Sequence, residues 1–123
     1  MFRTYAYAYA YAREISVIQV HLEALTDQSQ HSNVYLRTDV LYQSICGHDV
    51  PLMTVTSRNS DIPIANRKIV CLTGRVHPGE TNASWVMKGT LDYLVSTEAE
   101  ALLADHVFKI IPMLNVEGVI QGW

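Results

Sequence analysis

A chain of 123 residues and 13.8 kDa is long enough for one domain with its own core, since chains of this size bury roughly two thirds of their unfolded surface. Apolar residues at 49% and charged residues at 17% argue against a disordered chain. A formal charge of -3, with the nine Lys and Arg scattered, argues against a nucleic-acid module.

The first pattern is Tyr5 to Ala12, where Tyr and Ala alternate with the period of a strand, or of a low-complexity linker. A signal peptide would carry a continuous apolar stretch there, and no run nears the roughly 18 residues of a membrane span, so the chain reads as soluble and unexported. From Arg13 the period lengthens. Ile15, Ile18, Leu22 and Leu25 mark one face of a helix ending near Thr26, with His21 beside the stripe. The polar run from Asp27 to Asn33 reads as a loop containing a solvated His31.

Two β-rich runs follow, Val34 to Ile45 and Leu52 to Thr56, joined through Gly47-His48-Asp49 as a hairpin at a sheet edge. Lys68 to Thr73 is a short apolar run suited to a strand buried on both faces. Ala83, Met87, Leu91, Leu94 and Val95 then predict a helix from Thr81 or Asn82 to about Val95. Thr97 with Glu100 forms a capping box for a short helix through Leu103, and Val107 to Leu114 reads as a further strand. A long helical connection makes the last two strands parallel, joined by a right-handed crossover. That last strand lacks an obvious second neighbour and is expected to be a sticky edge. Cys46 and Cys71, the only cysteines, both have apolar neighbours, where buried free thiols are common and a disulfide is possible but unsupported, and Asn82-Ala83-Ser84 reads as a chance sequon.

The chemistry concentrates in Arg75-Val76-His77-Pro78-Gly79-Glu80-Thr81-Asn82. Imidazole nitrogen and carboxylate oxygen are zinc donors, and a catalytic zinc site takes three protein ligands with a position left for water. His77 and Glu80 can converge on one ion if the intervening backbone turns sharply. Pro78-Gly79 supplies such a turn, with Pro78 fixing φ and Gly79 tolerating φ > 0. By spacing alone His-x-x-Glu is weak, because it recurs by chance and a lone histidine is usually structural. Its place beyond a strand end and before a helix matches where α/β sheets bind ligands. No spacing ties His48 or His106 to this pair, and Arg75 serves either the structure or the substrate.

RVHPGETNASWVMKGTLDYLV together with FKIIPMLNVEGVIQG closely resembles the cytosolic carboxypeptidases, zinc enzymes that remove glutamates from tubulin tails and side chains. The resemblance extends through YLRTDVL and the helix before it, and the tyrosine stretch is similar to the aromatic segment that begins the catalytic domain. It implies an α/β fold, a partial zinc-carboxypeptidase fold with a mixed sheet and flanking helices, with residues 1–123 as the N-terminal, incomplete portion of the domain. It implies zinc held by His77 and Glu80, Arg75 as a substrate-binding candidate, a cytoplasmic location and a polyglutamylated or Glu-tailed partner such as tubulin, with no nucleic acid and no membrane. The family's third ligand, its carboxylate-binding arginines and its general-base glutamate are expected beyond Trp123, so the chain in isolation is expected to be inactive. Where the family usually reads Asn-Pro-Asp-Gly, this chain has Asn115-Val116-Glu117-Gly118, which predicts a looser turn. Two alternatives stay open: a zinc-dependent acylase or deacylase of the same superfamily, and a non-catalytic interaction fragment.

Overall fold

The computed structural model describes Val20, His21, residues 23–27 and residues 32–122. The tyrosine-alanine stretch, Ile15, Ile18, Leu22 and His31 lie outside the described residues. Residues 20, 21 and 23–27 are helical, and Leu25 enters the core at 4% exposure, so the expected apolar stripe is realised at its last position.

The hairpin follows, with β1 at Val34–Gln43 and β2 at Asp49–Ser57 paired antiparallel. Its reversal lies earlier than expected. Gly47 N–H donates to Ser44 O at 2.9 Å, Gly47 takes φ 83, and Asp49 already pairs with Gln43. Glycine is needed here because an L side chain rarely tolerates that backbone. The later elements are β3 at Lys68–Thr73, α1 at Asn82–Leu94, α2 at Glu100–Asp105, β4 at His106–Ile111 and α3 at Val116–Gln121. The sheet is mixed, in the order β1-β2-β4-β3, with β4 antiparallel to β2 and parallel to β3.

Strand alternation sorts the two faces. Val34, Leu36, Met53, Val55, Phe108 and Ile110 turn to one side, where Met87, Leu91 and Leu94 of α1 and Leu103 of α2 complete the main core. Burying such a side chain contributes about 1.5–3 kcal/mol, so the stripe of α1 is what holds it on the sheet. A second cluster of Val50, Ile111, Met113, Val116 and Val119 seats α3.

Four expectations are corrected. β3 is not buried on both faces: Ile69 is 72% exposed and Cys71 is exposed, because among the described residues β3 is the outer strand and only Val70 and Leu72 pack on the core. Cys46 is likewise exposed, in the hairpin turn. β4 is interior rather than an edge, since the β1–β2 hairpin pairs against it on the side away from β3. No capping box forms at Thr97. That residue opens a 3-10 turn over Thr97–Ala99, and neither this turn nor α2 has a side-chain cap.

The parallel ladder continues past the strand ends. Gly74 N–H donates to Ile111 O at 2.9 Å, and Leu114 N–H donates to Gly74 O at 2.8 Å. A Cβ on Gly74 would meet Pro112 O at 2.9 Å and Met87 Cε at 3.2 Å. Gly74→Ala is therefore expected to lower stability by about 1–3 kcal/mol in urea unfolding, through backbone displacement at this crossing.

Candidate metal centre

The chain leaves β3 through Arg75, whose φ of 55 lies in the left-handed region. A residue with a Cβ pays roughly 1–2 kcal/mol there, so its surroundings must hold it. The Arg75 side chain is only 1% exposed. Its Nη1 donates to Ser84 Oγ at 2.8 Å and its Nη2 to Pro78 O at 2.6 Å. One guanidinium thus joins the strand end, the following loop and the first turn of α1, and it supports the loop from beneath.

Residues 77–80 form a hydrogen-bonded turn in which Glu80 N–H donates to His77 O at 3.2 Å. Pro78 occupies the position where its preset φ fits. Gly79, which would tolerate positive φ, does not take it; the left-handed residue is Arg75, two positions before His77. From the turn, Ala83 N–H reaches Glu80 O at 3.0 Å and Ser84 N–H reaches Thr81 O at 3.1 Å. These carbonyls satisfy helix-start donors, since Thr81 supplies no side-chain cap.

His77 and Glu80 are both exposed, at the first and last positions of one turn. Among the described residues, no hydrogen bond or ion pair engages either side chain. Turn ends lie within about 7 Å of each other, close enough for an imidazole and a carboxylate to approach one ion.

The segment after β4 braces this loop. Asn115 caps α3 by accepting from Gly118 N–H at 2.9 Å, and its Nδ2 donates to Val76 O at 3.3 Å. Gly118 packs so closely that a Cβ would lie 2.9 Å from Pro78 Cγ. Glu117 Oε1 accepts from Cys46 N–H at 3.1 Å and Ser44 Oγ–H at 3.3 Å, tying the helix start to the hairpin turn. The expected loose turn is therefore a capped helix start, with Val116 buried at its first position. Asn115 was readable as a helix cap from residue type alone; the roles of Ser84 and Gly118 left no sequence signal, because their partners lie elsewhere in the chain.

The other described histidines stand apart from this loop. His48 is exposed in the hairpin turn, His106 Nδ1 lies 3.0 Å from Leu102 O and 2.5 Å from Asp105 Oδ1, and His21 Nε2 lies 2.9 Å from Asp92 Oδ1. Among the described residues, no three of His, Cys, Asp and Glu are grouped to hold a metal.

Residues 22–123 match the family model for zinc carboxypeptidases. The chain belongs to the zinc carboxypeptidase family. Cytosolic carboxypeptidase 1 of Homo sapiens is 45% identical over 115 residues, taking in 87% of this chain and 9% of the relative. Cytosolic carboxypeptidase 4 of Mus musculus is 48% identical, with 87% and 10% covered. The chain thus spans about a tenth of the length of these curated relatives. Among solved structures, a metallo-carboxypeptidase from Burkholderia cenocepacia superposes with a TM-score of 0.66 at 25% identity, covering 85% of this chain and 27% of that one. A metallo-carboxypeptidase from Pseudomonas aeruginosa gives 0.60 at 25% identity, with 81% and 26% covered.

The donor set fits the family's metal. A neutral imidazole and a carboxylate are ordinary zinc ligands, and both stand on one braced turn with no described partner to displace.

Two predictions test the bracing. Arg75→Ala removes two charge-assisted hydrogen bonds and is expected to cost roughly 2–4 kcal/mol in chemical unfolding, with faster amide exchange at Glu80 and Ser84. The Glu117 carboxyl is held below the usual glutamate range, first by its contact with the Cys46 side chain and then by the Cys46 N–H and Ser44, against partial burial. A depressed folded-state value contributes stability above the unfolded value, and that stability is lost as pH falls through the folded value. Thermal melts should therefore separate Glu117→Gln from the parent near neutral pH, and the gap should close below about pH 4.

Proposed function

We propose that this chain forms the metal-ligand platform of a zinc metallocarboxypeptidase, with His77 and Glu80 as two of the zinc ligands. One observation carries this reading: the exposed His77-Pro78-Gly79-Glu80 turn sits beyond the C-terminal end of a strand in a parallel pair, directly before a helix. Zinc bound there would lower the pKa of a water and polarise a peptide carbonyl. The chain's own residues do the positioning. His77 offers a ring nitrogen, Glu80 a carboxylate oxygen, and Arg75 holds Pro78 O so that the turn between them keeps its shape. Asn115 and Gly118 support the same loop from the neighbouring strand end.

The reading extends to substrate by similarity to the cytosolic carboxypeptidases. It takes the substrate as a protein ending in, or branched with, glutamates, such as tubulin, and the location as the cytoplasm. The 123 residues alone are proposed to bind zinc weakly and to hydrolyse no peptide, since the described residues bring no third ligand to His77 and Glu80.

Competition with a chromophoric chelator tests the ligand assignment. Zinc affinity is expected to be weaker than about 1 μM, because two protein ligands complete only half of a tetrahedral set. His77→Ala and Glu80→Gln should each reduce it further by about tenfold or more. Binding unchanged in both variants would overturn the assignment, and release of glutamate from a polyglutamate peptide by the isolated chain would overturn the claim of inactivity.

A further inference from the structure

The loop that carries His77 and Glu80 is held carbonyl by carbonyl. His77 O accepts from Glu80 N–H at 3.2 Å, Pro78 O from Arg75 Nη2 at 2.6 Å, Gly79 O from Thr81 N–H at 3.1 Å and Glu80 O from Ala83 N–H at 3.0 Å. These donors all belong to the loop itself or to the first turn of α1. The two carbonyls directly before His77 are held differently. Arg75 O accepts from the Asn115 backbone N–H at 3.1 Å, and Val76 O accepts from Asn115 Nδ2 at 3.3 Å. One residue from the neighbouring strand end thus holds two consecutive peptide groups.

The second of those groups joins Val76 to His77. A peptide unit is planar, so holding the direction of Val76 O also holds that of the His77 N–H. The plane on the other side of His77 is held by the bond from Glu80 N–H to His77 O. With both flanking planes set, the φ and ψ of His77 are set, and with them the direction of its Cα–Cβ bond.

The Asn115 amide has little choice of orientation. Its Oδ1 accepts from Gly118 N–H at 2.9 Å, which only an oxygen can do, and Val76 O can meet only the nitrogen. Gly118 leaves room for this, since a Cβ there would lie 2.8 Å from Nδ2, 2.9 Å from Oδ1 and 2.9 Å from Pro78 Cγ. Capping α3 alone would require just an acceptor, which serine, threonine or aspartate also provides. Asparagine adds a separate donor atom, and here both ends of the amide are used.

We propose that Asn115 is a positioning residue for metal uptake: its Nδ2 sets the Val76–His77 peptide plane, and so the direction in which the His77 imidazole leaves the loop, as a function separate from capping α3. The proposal rests on the reading of His77 as a zinc ligand. The setting of the peptide plane rests on the hydrogen bonds alone.

Asn115→Ser and Asn115→Ala of the 123-residue chain separate the two functions. Serine keeps an oxygen for Gly118 N–H but has no second atom for Val76 O, and alanine keeps neither. In urea unfolding the serine variant is expected to match the parent closely, while the alanine variant loses stability. Competition for zinc with a chromophoric chelator should show both variants weakened by about threefold to tenfold. In the metal-free chain, amide exchange at Glu80 should be faster in both, and exchange at Gly118 faster in the alanine variant alone. Zinc affinity that falls in His77→Ala but keeps its parent value in Asn115→Ser would overturn the proposal and leave the ligand assignment standing. Losses of zinc affinity confined to the alanine variant, or exchange at Glu80 unchanged in the serine variant, would also overturn it. Zinc affinity unchanged in His77→Ala would overturn the ligand assignment, and the proposal with it.

Discussion

The parallel pairing of β3 with β4 does more than complete a sheet. Its ladder runs on through Gly74 and Arg75, whose backbone groups bond to Ile111, Leu114 and Asn115 after the strands proper have ended. Two connecting segments, far apart in sequence, are therefore held side by side. Because backbone groups buried at such a crossing must find partners, neither segment can drift without leaving donors unsatisfied. The His77–Glu80 loop and the α3 start inherit their relation from this constraint.

Arg75 translates that constraint into loop shape. A left-handed, non-glycine residue is unfavourable by itself, and it is retained because its buried side chain has two defined acceptors, Ser84 Oγ and Pro78 O. The result is a rigid base under an exposed pair of donors. A zinc site at this turn would benefit from this division, since ligands held by a braced backbone lose little freedom on binding. The close packing of Gly118 on Pro78 serves the same end from the neighbouring strand end.

The two faces of the sheet carry different physics. One is sealed by α1 and α2 through aliphatic contacts, and it provides the stability. The other collects Thr hydroxyls and cations, whose positions are set by hydrogen bonds to neutral oxygens. The same face is apolar at its other end, where Val50 and Ile111 pack on α3. Together with the exposed turn at the strand ends, it gives the described residues two chemically distinct surfaces.

Much of this could be read from local pattern. The 3.6-residue recurrence through Met87, Leu91 and Leu94 located α1, two β-rich runs around a Gly- and Asp-containing turn located the hairpin, and residues 75–82 stood out because a His-x-x-Glu pair followed an apolar run and preceded a helix. Such features depend on neighbours in the chain, so periodicity and residue type suffice. Burial of β3, the interior position of β4 and the true left-handed residue of the loop depended on partners from elsewhere. Lys68 to Thr73 looks fully buried because its residues are apolar, yet strand order alone decides how many neighbours it has. Gly79 looked like the flexible point, but the backbone bonds between Gly74, Arg75 and the segment after β4 moved the sharp conformation to Arg75. Local chemistry named the residues of the site, and long-range pairing determined which of them bear strain, which are covered and which face the solvent.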